Sequence, residues 1–241
     1  MTSINNATVL VTGANRGIGR ALVDESLHRG AARVYAGTRR PLTHPDERVV
    51  PLVLDVTDDA QIRAAHQHVE SLDILFNNAG VARQDDLSVR ASIQAHLDVN
   101  VFGTYAVTQA FRSLLTQSHG AVVNVLSIGA LAPIPGLPAY SISKAAAFSL
   151  TQSLRALLTD CGVHVHAALA GPVDTDMTRD LDVPKASAES VARAILDGVE
   201  NGEEEIFPDP MSAAFAPSWH TGAAKILERA NAALVAGQDV A

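Results

Sequence analysis

The sequence predicts an α/β fold: a doubly wound sheet of about seven parallel strands with helices on both faces. Three observations carry that prediction. Short apolar, β-branched runs alternate with stretches of helical character along the 241-residue chain. The first run leads straight into a glycine-rich turn and then a helix, the setting of a phosphate-cradling loop. The polar residues between runs gather at the carboxyl ends of the predicted strands, the edge where open parallel sheets bind ligands.

Thr8–Thr12 reads as the first strand, followed by Gly13, Asn15, Arg16, Gly17, Ile18 and Gly19 and a helix over Ala21–His28. The glycines permit a tight turn and close backbone approach, and the free N–H groups of the helix start suit a pyrophosphate. A plain capped turn leaves three glycines at this spacing unexplained. Arg33–Gly37 is the second strand and ends in Thr38-Arg39-Arg40. An acidic residue there would hold a ribose 2′-hydroxyl, as NAD(H) prefers, and none is present. Arg39 and Arg16 instead offer forked donors suited to a 2′-phosphate, so the expected cofactor is NADP(H) rather than NAD(H).

Val49–Leu54 is the third strand, leading to Asp55 and Val56, with Thr57 or Asp58 capping a helix to Val69. Asp73–Phe76 is the fourth and runs into Asn77-Asn78-Ala79-Gly80. One long helix over Ser88–Leu115 carries Asn100. Ala121–Leu126, the fifth strand, delivers Ser127, then a loop with three prolines and a helix over Tyr140–Thr159. His164–Leu169 is the sixth, ending in Gly171-Pro172-Val173-Asp174-Thr175. A helix over Ala188–Glu200 and a short strand near Glu205–Phe207 complete the alternation.

Tyr140 and Lys144 lie four apart on a predicted helix and so share a face. An ammonium one turn from a phenol favours the phenolate and draws its pKa down, which would make Tyr140 an acid/base group near neutral pH. Alone, such a pair marks only the edge of a buried face. The surrounding motifs give it its meaning.

Composition bounds the rest. Hydrophobic residues make up 47% of the chain, ample for a core, and no linker-like stretch divides it, so residues 1–241 are expected to form a single domain. A formal charge of −8 and the lack of a basic run speak against nucleic-acid or membrane-surface partners. The lone Cys161 fits a reducing compartment, and the start lacks the basic and long apolar parts of a signal peptide, so a cytoplasmic location is expected.

Taken together, Thr12-Gly13-x-x-x-Gly17-x-Gly19, Asn77-Asn78-Ala79-Gly80, Asn100, Ser127, Tyr140-x-x-x-Lys144 and Gly171-Pro172-Val173-x-Thr175 resemble the short-chain dehydrogenase/reductase family over about Ala7–Phe207. The resemblance implies a Rossmann-like fold and a tetramer or dimer. It implies that Tyr140 is the acid/base, that Ser127 orients the carbonyl, that Lys144 lowers the Tyr140 pKa and holds the nicotinamide ribose, and that Asn100 maintains a water-linked proton path. It also places Asp55 and Val56 at the adenine, Asn78, Ala79 and Gly80 along the adenosine ribose side, and Val173 and Thr175 near the nicotinamide amide and pyrophosphate. Two departures stand out: Ala170-Gly171 where the family usually has Pro-Gly, and Leu126 where a second Ser is common before Ser127.

Other constellations are weaker. His66 and His68 point to different faces of a helix, while His164 and His166 share a strand face but lack a third ligand, so no metal site is expected. No nucleophile elbow is present. The substrate pocket is expected to draw on Ala82, Ile128, Ile134, Leu137 and Met177, with Arg83 and Arg179 able to reach its mouth. Mostly apolar walls point to a hydrophobic or neutral ketone, aldehyde or alcohol. A 3-ketoacyl carrier-protein reductase is the alternative, although the chain lacks a basic docking patch. An NADP(H)-binding sensor or scaffold is the reading from another class. Residues 208–241, with Phe215 and Trp219, are expected to lid the pocket or build an oligomer contact.

Overall fold

Strand β1 (Thr8–Thr12) lies at the centre of a seven-stranded sheet and pairs in parallel with both β2 (Arg33–Thr38) and β4 (Ile74–Asn77). The computed structural model describes residues 2–40 and 42–235. The remaining strands are β3 (Val49–Val53), β5 (Ala121–Ser127), β6 (His164–Ala170) and β7 (Glu205–Ile206). They order as β3-β2-β1-β4-β5-β6-β7, all parallel, as expected from the alternation of strands and helices.

The period-two geometry of strands sorts the core into two layers. Val9 and Val11 of β1, with Ile74 and Phe76 of β4, pack on one face against Leu22 and Val23 of α1 (Gly17–His28) and Val191 and Ile195 of α6 (Ala188–Glu200). Leu10 and Leu75 point the other way. They meet Ile62 of α2 (Asp59–His68), Val107 and Phe111 of α4 (Thr104–Ser118), and Leu154 and Leu158 of α5 (Pro138–Leu158). A sheet buried on both faces needs near-continuous apolar strands, and the burial of every residue in β4 and β5 reflects this.

Polar ladders cross the second layer. Asn77 Nδ2 donates to Thr108 Oγ1 and to Asn124 Oδ1, each at 2.9 Å, and Asn124 Nδ2 donates to Thr151 Oγ1 at 2.8 Å. These bonds pin β4 and β5 to α4 and α5, and so set where the residues after each strand emerge.

The long helix expected over Ser88–Leu115 runs without a break from Arg90 to Ser118 but changes its winding midway. It divides into α3 (Arg90–Leu97), a π-helical segment over Asp98–Gly103, and α4. Asn100 sits in the π segment, where the backbone hydrogen bonding widens to i→i+5. The helix after Ser127 starts at Pro138, earlier than expected, because proline is preorganised for a first helical turn. Asp58, not Thr57, caps α2: its carboxylate accepts from the N–H groups of Ala60 and Gln61.

The C-terminal stretch forms α7 (Pro210–Ala213), α8 (Ala216–His220) and α9 (Ala223–Val235). Trp219 packs on Phe148 of α5 with ring centroids 5.3 Å apart, and Phe215 is half exposed. Neither side chain reaches the cleft described below, so the described part of this stretch does not lid it; residues 236–241 lie outside the described residues. No helix among the described residues is long and apolar enough to cross a membrane.

Candidate active site

The strand order reverses between β1 and β4, and a cleft of about 750 Å³ opens along the carboxyl ends of the strands at that point. The glycine turn forms one lip. Gly13 and Gly17 adopt φ of +66° and +52°, left-handed values that L side chains disfavour. Gly19 is required by contact instead: a Cβ there would lie 2.2 Å from the Gly13 carbonyl oxygen. The helix start is thereby drawn close to the turn, with Gly13, Asn15, Arg16, Gly17 and Ile18 facing the cleft.

Asn78 locks this lip to β4. Its Nδ2 donates to the carbonyls of Thr12 and Gly13 at 2.9 and 3.3 Å, while the N–H groups of Asn78 and Ala79 donate to Thr12 Oγ1. Thr38, Arg39, Arg40, Asp55, Val56, Asn78, Ala79 and Gly80 continue the wall, with Arg39 and Arg40 both exposed. Thr57, which the sequence motifs did not single out for the cleft, lines it too, and its N–H and hydroxyl both donate to Asp55 Oδ1.

At the far end Tyr140 and Lys144 enter from α5. Lys144 is buried; its Nζ donates to the Val125 carbonyl at 2.9 Å and lies 5.8 Å from the centre of the Tyr140 ring. Burial lowers its pKa from 10.5 to about 8. The expected depression of Tyr140 is not what the structure gives: burial pushes the phenol up, and the Ser127 hydroxyl only partly offsets this. The ammonium donates to a backbone carbonyl rather than to the phenol.

Asn100 holds the strip between them. Its Oδ1 accepts from the Val81 N–H at 2.9 Å, and its Nδ2 donates to the Val81 carbonyl and to Ser143 Oγ. Gly80 passes so close that an added Cβ would stand 3.2 Å from Asn100 Oδ1 and 3.8 Å from Lys144 Nζ. Ser127 is buried at the end of β5, where its oxygen accepts from the Gly129 N–H.

After β6, Thr175 and Met177 line the cleft. Gly171 and Val173 do not: the Gly171 N–H is taken by Asp209 Oδ2 at 2.7 Å, and Val173 is buried in a bridge to Ala186. Of the five expected substrate residues only Met177 lines this cleft. Ala82, Ile128, Ile134 and Leu137 stay outside its walls, and Ile134 lies against Gly129, where an added Cβ would meet its Cδ1 at 2.8 Å. Ser127 is also outside the lining, just beyond Leu126.

Asp176, unmarked in the sequence, pairs with Arg16 across the two lips at 2.8 Å and also with Arg179. These guanidiniums hold its carboxyl below the ordinary range. His164 and His166 have ring centroids 6.4 Å apart, and among the described residues no group of three His, Cys, Asp or Glu could hold a metal.

Residues 7–185 match the family model for the short chain dehydrogenases. The chain belongs to the short-chain dehydrogenase family. Among its relatives in that family, an uncharacterised oxidoreductase of Staphylococcus aureus is 32% identical over 214 residues, covering 81% of this chain and 92% of the relative. A 3-oxoacyl-[acyl-carrier-protein] reductase of Synechocystis is 30% identical over 200 residues, covering 76% and 80%. A short-chain dehydrogenase from Burkholderia cenocepacia, solved in complex with NADP, superposes with a TM-score of 0.85 at 35% identity, covering 94% of this chain and 98% of that one.

Proposed function

We propose that this short-chain dehydrogenase is an NADP(H)-dependent enzyme that interconverts a hydrophobic or neutral ketone or aldehyde and its alcohol. One observation carries the reading most: Tyr140 and Lys144 stand at one end of a cleft whose other end presents a glycine cradle with Arg39 and Arg40. The cradle fits a dinucleotide, because the turn excludes side chains where a pyrophosphate would approach the start of α1. Arg39 and Arg40 suit a 2′-phosphate, and the NADP-bound relative from Burkholderia supports that choice.

The bound nicotinamide supplies or accepts the hydride. The chain's own groups do the rest. The Tyr140 phenol donates a proton to the carbonyl oxygen in reduction and takes it back in oxidation. Ser127 donates to the same oxygen and orients it. Lys144 holds the nicotinamide ribose, and its charge favours the phenolate once the phenol has given up its proton. Asn100 keeps Gly80 and Val81 in place and supports a water path to Lys144.

The Synechocystis relative favours a second reading, a 3-ketoacyl carrier-protein reductase. The net charge of −8 opposes docking of an acidic carrier. We further propose that the enzyme works as a cytoplasmic homo-oligomer, tetramer or dimer, in which Phe102, Tyr105 and Leu157, all exposed on the single chain, are covered by a second copy. Sedimentation as a single chain would contradict that.

The deciding assay follows NADPH consumption over a panel of hydrophobic ketones, aldehydes and ketoacyl thioesters. Turnover is expected with a neutral carbonyl and should be abolished by Tyr140→Phe. Tight NADPH binding with no turnover on any compound would make the protein a sensor instead.

A further inference from the structure

Beyond β4 the chain runs from Val81 to Val89 without regular structure, yet it is tied down at Val81, Arg83 and Asp85. Val81 exchanges two hydrogen bonds with the Asn100 carboxamide. The Arg83 N–H donates to His96 Nε2 at 3.1 Å. The Asp85 N–H donates to the Gly136 carbonyl at 3.3 Å, and the Asp85 carboxylate accepts from the Ala139 N–H at 3.2 and 3.4 Å. Helix α5 has no side-chain cap of its own, so Asp85 supplies an acceptor to its first turn, one residue before Tyr140.

His96 is the least expected of these anchors. It is fully buried on α3, where an apolar side chain would cost less. Its Nδ1 lies 2.7 Å from the Ser92 carbonyl, which can only accept, so Nδ1 carries a proton. Its Nε2 faces an N–H, which can only donate, so Nε2 keeps its lone pair. Both contacts demand the same neutral tautomer. The other side of the ring meets the Tyr140 ring edge-on, with centroids 6.5 Å apart and planes at 71°.

We infer that His96 is a positioning residue: its Nε2 lone pair fixes the segment around Arg83 and, through Asp85, the start of α5, so that substrate meets a preset wall beside Tyr140. The inference rests on the reading of Tyr140 as the acid/base.

The test compares His96→Met, which fills the space without an acceptor, with His96→Gln, whose amide oxygen reaches the Nε2 position. His96→Met loses the bond to the Ser92 carbonyl as well, and losing the acceptor for the Arg83 N–H should raise its carbonyl KM about tenfold, with NADPH binding unchanged. The Gln variant should recover most of that loss. A folded Met variant with wild-type KM, or a Gln variant no better than Met, overturns the inference. Should the Met variant not fold, ¹⁵N NMR of wild-type His96 decides: an Nδ1–H tautomer supports the clamp and an Nε2–H tautomer refutes it. Turnover by Tyr140→Phe would sink the acid/base reading separately, without touching the KM comparison.

Discussion

The Lys144 ammonium donates to the Val125 carbonyl at 2.9 Å and stands 5.8 Å from the centre of the Tyr140 ring. A buried charge satisfied by a neutral carbonyl still bears much of its desolvation cost, and the pKa of about 8 expresses this. The stability consequence has a definite sign. Between about 8 and the ordinary 10.5 the unfolded chain holds a proton that the folded chain has lost, so folding gains with rising pH. The full gain is on the order of 3 kcal/mol. Tyr140, pushed up by burial, acts in the opposite sense above its own ordinary range. Denaturant midpoints of wild type should therefore rise relative to Lys144→Met from about pH 8 to 10. Parallel profiles would show that Lys144 keeps its ordinary pKa.

Arg39 tests the cofactor choice. It is exposed, lines the cleft, and stands just beyond the end of β2. Arg39→Ala should weaken NADPH binding by about 10- to 100-fold, the worth of one hydrogen bond to a charged group, while leaving NADH nearly unchanged. Calorimetric titration with both cofactors reads the difference. Equal losses for the two would remove Arg39 from the 2′-phosphate.

The C-terminal helix α9 is held by charge. Lys225, 1% exposed, lies 2.6 Å from Glu204, 2.8 Å from the equally buried Glu205 and 3.1 Å from Glu228. Arg155 of α5 shares Glu205 at 2.8 Å. Removing Lys225 leaves three carboxylates around one guanidinium. Lys225→Met should cost about 3 kcal/mol, and adding Glu205→Gln should return part of it. Thermal unfolding of the single and double variants measures that coupling; strict additivity would mean that the pair does not interact.

The sheet and its ligand-binding edge were legible in the sequence because both depend on local signals. The apolar run Val9–Val11 alternates between two cores, and Gly13 and Gly17 take left-handed backbone angles while Gly19 abuts the Gly13 carbonyl. Tyr140 and Lys144 were placed correctly by helical spacing, but the partner of Lys144 was not, since Val125 lies on another element. The Arg16–Asp176 pair joins residues 160 positions apart and leaves no trace in either neighbourhood. His96 reads in sequence as one polar residue in a helical stretch. Only the tertiary structure brings Arg83 and Tyr140 to its two sides. Ile128, Ile134 and Leu137 were proposed as substrate contacts from their place in the loop between Ser127 and Tyr140, and they do not line the cleft that Tyr140 and Lys144 enter.

His96, Asn100, Thr104 and Thr108 recur every fourth residue, and all four are buried. On a uniform α-helix each such step overshoots a full turn by about 40°, so the fourth member would be out of phase with the first by about 120°. The slower winding of the π segment over Asp98–Gly103 takes up part of that phase error. One helical column thus addresses the outer wall through His96, the lysine strip through Asn100 and the sheet interior through Thr108. This stretch is accordingly sensitive to length before it is sensitive to identity. A residue added or removed between Asp98 and Gly103 would rotate one end of the column away from its partners while leaving every side chain chemically intact.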